Sequence, residues 1–70
     1  MRNNLIKARK DKGWTQEQVA DKVIINLRYY KAIESGERLG AIWIWDKLED
    51  LFQIHQRILR ENRHGKGDSQ

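Results

Sequence analysis

Apolar residues along the 70-residue chain recur at helical spacing in five stretches, separated by short polar joints. In the first, Leu5, Ile6, Ala8 and Arg9 fall on the core side, which predicts a helix capped by Asn3 or Asn4, running to Lys12 and ended by Gly13. Thr15 opens the second: its hydroxyl can accept from the free amides of the next turn while Gln18 reaches back to the Thr15 amide. Behind that cap, Val19, Ala20 and Val23 make a narrow apolar stripe with Gln16, Glu17, Asp21 and Lys22 outside it, and the small Ala20 lets another helix come close. Asn26 caps a third helix in which Tyr30 and Ile33 face inward with Leu27 or Tyr29, and Gly36 offers a left-handed stop. Arg28 and Lys31, three positions apart, share its opposite face.

After a loop from Glu37 to Gly40, a fourth helix is predicted from about Ala41 to Phe52, with Ile44, Trp45, Leu48, Leu51 and Phe52 on one face and Asp46, Lys47 and Asp50 on the other. Ile54, Ile58 and Leu59 predict a last short helix over about Gln56 to Asn62, with Arg57, Arg60 and Arg63 solvated. The polar stretch from His64 to Gln70 is expected to be a disordered tail on a domain of residues 1–63. Val23 to Tyr30 and Ala41 to Trp45 are rich in strand-forming residues, which raises a β-hairpin as a competitor. Both stretches continue into helix formers at helical apolar spacing, so the hairpin is rejected and the fold class is all-α.

Composition narrows the possibilities. A chain of this length hides only about 60% of the surface its unfolded form exposes, and it has no cysteine to staple it. A packed partner subunit is therefore a natural source of further burial. No apolar run approaches the roughly 20 residues needed to cross a bilayer, and no signal-peptide core opens the chain, so a cytoplasmic protein is expected. Residues 1 to 38 hold nine Lys and Arg against five acids, and residues 39 to 70 hold five against five, so the whole net charge of +4 lies with the second and third helices and their flanks. His55 and His64 are isolated and the carboxylates are scattered over solvated faces, so neither an enzyme nor a metal or cofactor site is expected.

The cap at Thr15, the stripe to Val23, the turn and the second cap at Asn26 form a helix-turn-helix. In order and spacing, Leu5, Ala8-Arg9, Gly13-Trp14-Thr15-Gln16, Val19-Ala20, Ile25, Tyr30, Ile33-Glu34-Ser35-Gly36 and Arg38, and more loosely Lys47 to Phe52, resemble the Cro/repressor type of helix-turn-helix regulator. The resemblance covers about Asn4 to Leu59 and implies a compact five-helix bundle of the lambda-repressor kind whose third helix enters the DNA major groove.

It also implies roles for single residues. Asn26, Leu27, Arg28 and Lys31, at the start and on the outer face of the third helix, are the base-facing candidates. Arg28 leads them, because a guanidinium can give two hydrogen bonds to guanine O6 and N7, and Leu27 could meet a thymine methyl. An ordinary solvated helix face is the alternative for Arg28 and Lys31. Gln16 is expected between a DNA phosphate and the recognition helix; Tyr29, Arg38 and Lys10 are further phosphate candidates that could equally serve packing or solubility. Arg9 and Glu34 are expected to form a partly buried ion pair of structural purpose, and Trp14 to join the core. Leu39, Ile42, Trp43 and Ile58 are candidates for a dimer interface, with a lone surface aromatic as the alternative at Trp43.

Three positions depart from the family pattern. Ile24 stands where the turn usually has glycine, Gly40-Ala41 replaces the usual Pro-Ser before the fourth helix, and Gln53 stands where glycine commonly precedes the last. The function expected from the resemblance is a sequence-specific regulator, most often a repressor, binding a roughly palindromic operator in double-stranded DNA as a homodimer, with no membrane and no small-molecule site. A scaffold that keeps the fold, loses DNA and meets a protein through Ile24, Leu27, Ile42 and Trp43 is the alternative.

Overall fold

The computed structural model describes residues 1–62, and the expected tail, with Arg63, lies outside the described residues. Five helices follow in order: α1 (Asn3–Asp11), α2 (Gln16–Val23), α3 (Leu27–Ser35), α4 (Ile42–Phe52) and α5 (Gln56–Leu59). There is no strand among the described residues. The strand-forming residues Tyr30 and Ile33 in α3 and Ile44 and Trp45 in α4 are helical and buried in the core, where burial outweighs a weak local preference.

Leu5, Ala8, Val19, Ala20, Val23, Tyr30, Ile33, Ile44, Trp45, Leu48, Phe52 and Leu59 form one core. Each sits at a position that helical spacing puts inside. α2 packs on α3 and α4, while α1 packs on α3 and α5, so α3 is held from two sides, with Arg28 and Lys31 exposed. Trp14 and Leu51 lie half-buried against the core, and the Trp14 ring meets Phe52 at 5.9 Å between centroids. Ile6, expected on the core side, is only half-buried; it lies on the edge of a depression between α1 and α3.

The caps of the two central helices are built as the sequence suggests. Thr15 Oγ1 accepts from the Gln18 amide while the Thr15 amide donates to Gln18 Oε1, and Asn26 Oδ1 accepts from the Tyr29 amide. The first helix differs. Arg2, not an asparagine, stands at its N-cap without a side-chain cap bond, because the Asn4 amide is drawn across to Ile58 O and Glu61 Oε1 on the far end of the chain. At the other end α5 stops at Leu59 rather than Asn62. There the Arg60 carbonyl accepts from Arg2 Nε, which diverts a backbone group that would have continued the helix, and the Asn62 side chain turns away to donate Nδ2 to Gly36 O. Arg60, expected in solvent, is accordingly half-buried.

All three departures from the family pattern shape the backbone. Ile24 and Gln53 occupy the left-handed region at φ 63° and 58°. The turn at Ile24 closes with its own amide and that of Ile25 donating back into α2, the latter to Ala20 O at 3.0 Å, and the half-buried Ile25 packs on the core. Ile24 itself is 72% exposed, so its side chain gains little burial in return for a conformation that costs about 1–2 kcal/mol in an L-residue. Ile24→Gly should therefore raise the stability by about 1 kcal/mol after glycine's own entropy cost is deducted. In a domain of this size that is a rise of roughly 4–8 °C in thermal midpoint, readable by circular dichroism; an unchanged midpoint would show that the turn is unstrained. Gly40 takes φ +85°. Proline is locked near −65°, so the family's proline cannot follow this path, and Ala41 enters α4 without a side-chain cap bond.

Candidate nucleic-acid interface

Four donors converge on the carboxylate of Glu34, which lies on the inner side of α3 and is 3% exposed. Arg9, from α1, gives Nε to Oε2 at 2.7 Å and Nη2 to Oε1 at 3.3 Å. Gln16, from the first turn of α2, gives Nε2 to Oε1 at 3.0 Å. Tyr30, one turn earlier on α3, gives its hydroxyl to Oε2 at 2.6 Å. Arg9 Nη1 also donates to Trp14 O in the joint between α1 and α2. One carboxylate thus ties together the first three helices, and its charge is met by a paired guanidinium rather than left to water. Burial, and then the hydrogen bond to Glu34, push the Tyr30 phenol far above its ordinary range, while the Glu34 hydrogen bond raises Arg9. These directions describe a network that keeps its protons in place.

The cross-tie sets the pose of α3. With Glu34, Tyr30 and Ile33 drawn inward, helical spacing turns Arg28 and Lys31 outward, and both are exposed. They open on different flanks of that face. Arg28 lines a shallow depression of about 360 Å³ with Asn26, Tyr29, Ala32, Glu37 and Arg38. Lys31 lines another of about 400 Å³, shared with Lys10 and Gln16. The candidates other than Leu27 thus fall into two groups on the flanks of α3: Lys10, Gln16 and Lys31 on one, Asn26, Arg28, Tyr29 and Arg38 on the other. Leu27, in its first turn, is half-exposed, and Tyr29 is half-buried against the core.

Leu39, Ile42, Trp43 and Ile58 are all exposed, as the sequence led us to expect at Trp43, which is 48% exposed with Lys47 Nζ 5.9 Å from its ring centroid. Leu39, Ile42 and Trp43 run from the loop after α3 into the first turn of α4; Ile58 lies on α5.

Sequence reasoning missed Arg2. It is 3% exposed, donates Nη1 to Ile33 O at 2.6 Å and to Arg38 O at 2.9 Å, and gives Nε to Arg60 O at 3.0 Å. Burial, with the nearby Arg60 charge, lowers its pKa. It also missed the indole of Trp45, which donates to Leu39 O at 2.7 Å. The Tyr30 hydroxyl was within reach of inference, since positions 30 and 34 are one helical turn apart.

No helix among the described residues is long and apolar enough to cross a membrane. The profile of the family described as helix-turn-helix matches residues 5–42, from the middle of α1 to the start of α4. A Bacillus subtilis (strain 168) protein named "Uncharacterized HTH-type transcriptional regulator YqaF" is 34% identical over 74 residues, covering 99% of this chain and 97% of that protein. No solved structure matches. With the cross-tied α2–turn–α3 unit, these likenesses show that the chain belongs to the Cro/repressor-type helix-turn-helix family.

Proposed function

We propose that this protein is a sequence-specific DNA-binding transcriptional regulator, acting as a repressor and as a homodimer, that reads the major groove with α3. The observation that carries the reading is the outward face of α3, where Arg28 and Lys31 are exposed and neither belongs to an ion pair among the described residues. Nine helical residues make a rod about 14 Å long and about 10 Å across, which fits a major groove about 12 Å wide. On this reading Asn26, Leu27, Arg28 and Lys31 face bases, while Gln16, Lys10, Tyr29 and Arg38 meet phosphates. Gln16 donates to Glu34 through one amide proton and has a second proton left for a phosphate oxygen.

The homodimer rests on the exposed Leu39, Ile42, Trp43 and Ile58 and on size. The domain measures 33 × 23 × 23 Å, so two abutting copies can present their α3 helices about 34 Å apart, one turn of the duplex, over a roughly palindromic site. Occupying a promoter sterically asks nothing of the protein beyond this binding surface, which favours repression.

Selection of bound duplexes from a random pool, followed by titration of the selected duplex at about 50 and about 200 mM salt, tests the reading. Expected are a two-fold symmetric sequence, two copies of the chain per duplex, and an affinity that falls by roughly 10³-fold or more between the two salts if six or more phosphates are engaged. Absence of binding at the lower salt overturns it in favour of a protein-binding scaffold; one copy per duplex overturns the dimer alone.

A further inference from the structure

Arg2 is an unusual buried cation. No carboxylate lies within ion-pair distance of it among the described residues, and its partners are three backbone carbonyls from three segments: Ile33 in α3, Arg38 in the following loop and Arg60 after α5. Its guanidinium lies 5.4 Å from the centre of the Trp45 ring. Were packing the only demand, an apolar side chain of similar length would fill the place without the cost of desolvating a charge. What a guanidinium adds is a rigid fork of donors that fixes several acceptors relative to one another.

The acceptors it fixes include the loop that leaves α3. Nη1 alone bridges Ile33 O and Arg38 O, setting the backbone at Arg38 against the last turn of the helix. The next carbonyl, Leu39 O, is held by the Trp45 indole, and the Glu37 and Arg38 amides return to Ala32 O at 3.0 and 3.2 Å. The backbone at Arg38 and Leu39 is therefore tethered at consecutive positions, while the Arg38 side chain is exposed and borders the same depression as Arg28.

We propose that Arg2 is a positioning residue for DNA binding: by bridging the Ile33 and Arg38 carbonyls it holds the Arg38 guanidinium at a set offset from α3, ready for a phosphate beside the groove. The inference rests on the DNA-binding reading and names a residue that touches no DNA itself. Ordering the loop during folding removes that entropy cost from the binding step.

The test uses the full chain and the selected duplex, with Arg2→Gln, Arg38→Ala and the double variant, each checked for helix content. Arg38→Ala should lower the slope of log affinity against log salt by about 0.9 for each phosphate no longer engaged. Arg2→Gln should lower it by a similar amount, and the double variant should be no weaker than Arg38→Ala, because both changes act on the same phosphate. A folded Arg2→Gln protein with the wild-type slope, or a double variant whose losses add, reduces Arg2 to packing and overturns the proposal. So does an Arg38→Ala protein that binds like wild type while Arg28→Ala does not, an outcome that leaves the DNA-binding reading intact. A wild-type protein that binds no duplex removes both.

If Arg2→Gln does not fold, Arg2→Lys keeps the charge and stem but lacks the fork, and carries the same expectation at smaller amplitude. Amide exchange in the wild type needs no variant: the Glu37 and Arg38 amides should exchange as slowly as those of α3, and exchange at the rate of an open loop overturns the tether.

Discussion

Glu34→Ala should leave the protein largely unfolded at temperatures where the wild type is folded. The substitution removes the acceptor of four hydrogen bonds and leaves the Arg9 guanidinium, the Gln16 amide and the Tyr30 hydroxyl without their shared partner. The Arg9 side chain is only 12% exposed, so water recovers little of the loss. Breaking a buried pair from one side costs about 3–5 kcal/mol, against about 4–10 kcal/mol for the whole stability of a 70-residue domain. Thermal unfolding followed by circular dichroism should show a midpoint lowered by roughly 12–40 °C, taking about 4–8 °C for each kcal/mol. Glu34→Gln, which keeps an acceptor oxygen but not the charge, should fall between. A midpoint equal to that of the wild type in Glu34→Ala would refute the cross-tie as the element that poses α3.

Arg28→Ala should do the reverse, sparing the fold and removing specificity. Arg28 is exposed and belongs to no ion pair among the described residues, so its truncation should change stability by no more than about 0.5 kcal/mol. On the selected duplex, removing a bidentate pair of hydrogen bonds to guanine is worth about 1–3 kcal/mol, or roughly 5- to 150-fold, and in a symmetric dimer both half-sites are affected. The decisive readout is the pattern as well as the size: repeated selection with the variant should relax base preference at one position in each half-site. Uniform weakening on all sequences, with a shallower salt dependence, would place Arg28 on a phosphate instead.

Most of the fold was legible because it rests on interactions with a fixed sequence offset. Thr15 with Gln18 and Asn26 with Tyr29 are local caps, and the stripes Val19-Ala20-Val23 and Ile44-Trp45-Leu48 repeat with the helical turn. Ile24 was singled out only by the resemblance, which puts glycine in the turn; its positive φ is a finding of the structure, and the cost of that φ is a property of its own side chain. The pairing of Arg9 with Glu34 was of the same kind. Nothing in spacing brings residues 25 apart together, and only the family resemblance suggested it.

Arg2 shows where such reading stops. Its partners are the carbonyls of residues 31, 36 and 58 positions away, and a carbonyl oxygen is common to every residue, so no residue type marks the acceptor. The early end of α5 and the absence of the expected asparagine cap on α1 follow from the same kind of interaction, in which a side chain near one terminus claims backbone carbonyls near the other. Five helices, their buried faces, the caps of α2 and α3 and the basic outer face of α3 were determined by the order of side chains alone, because those interactions close within a turn or two of the chain. The pose of α3, the tether on Arg38 and the ends of α1 and α5 were decided only in the tertiary structure, where distant segments compete for backbone groups that carry no sequence identity.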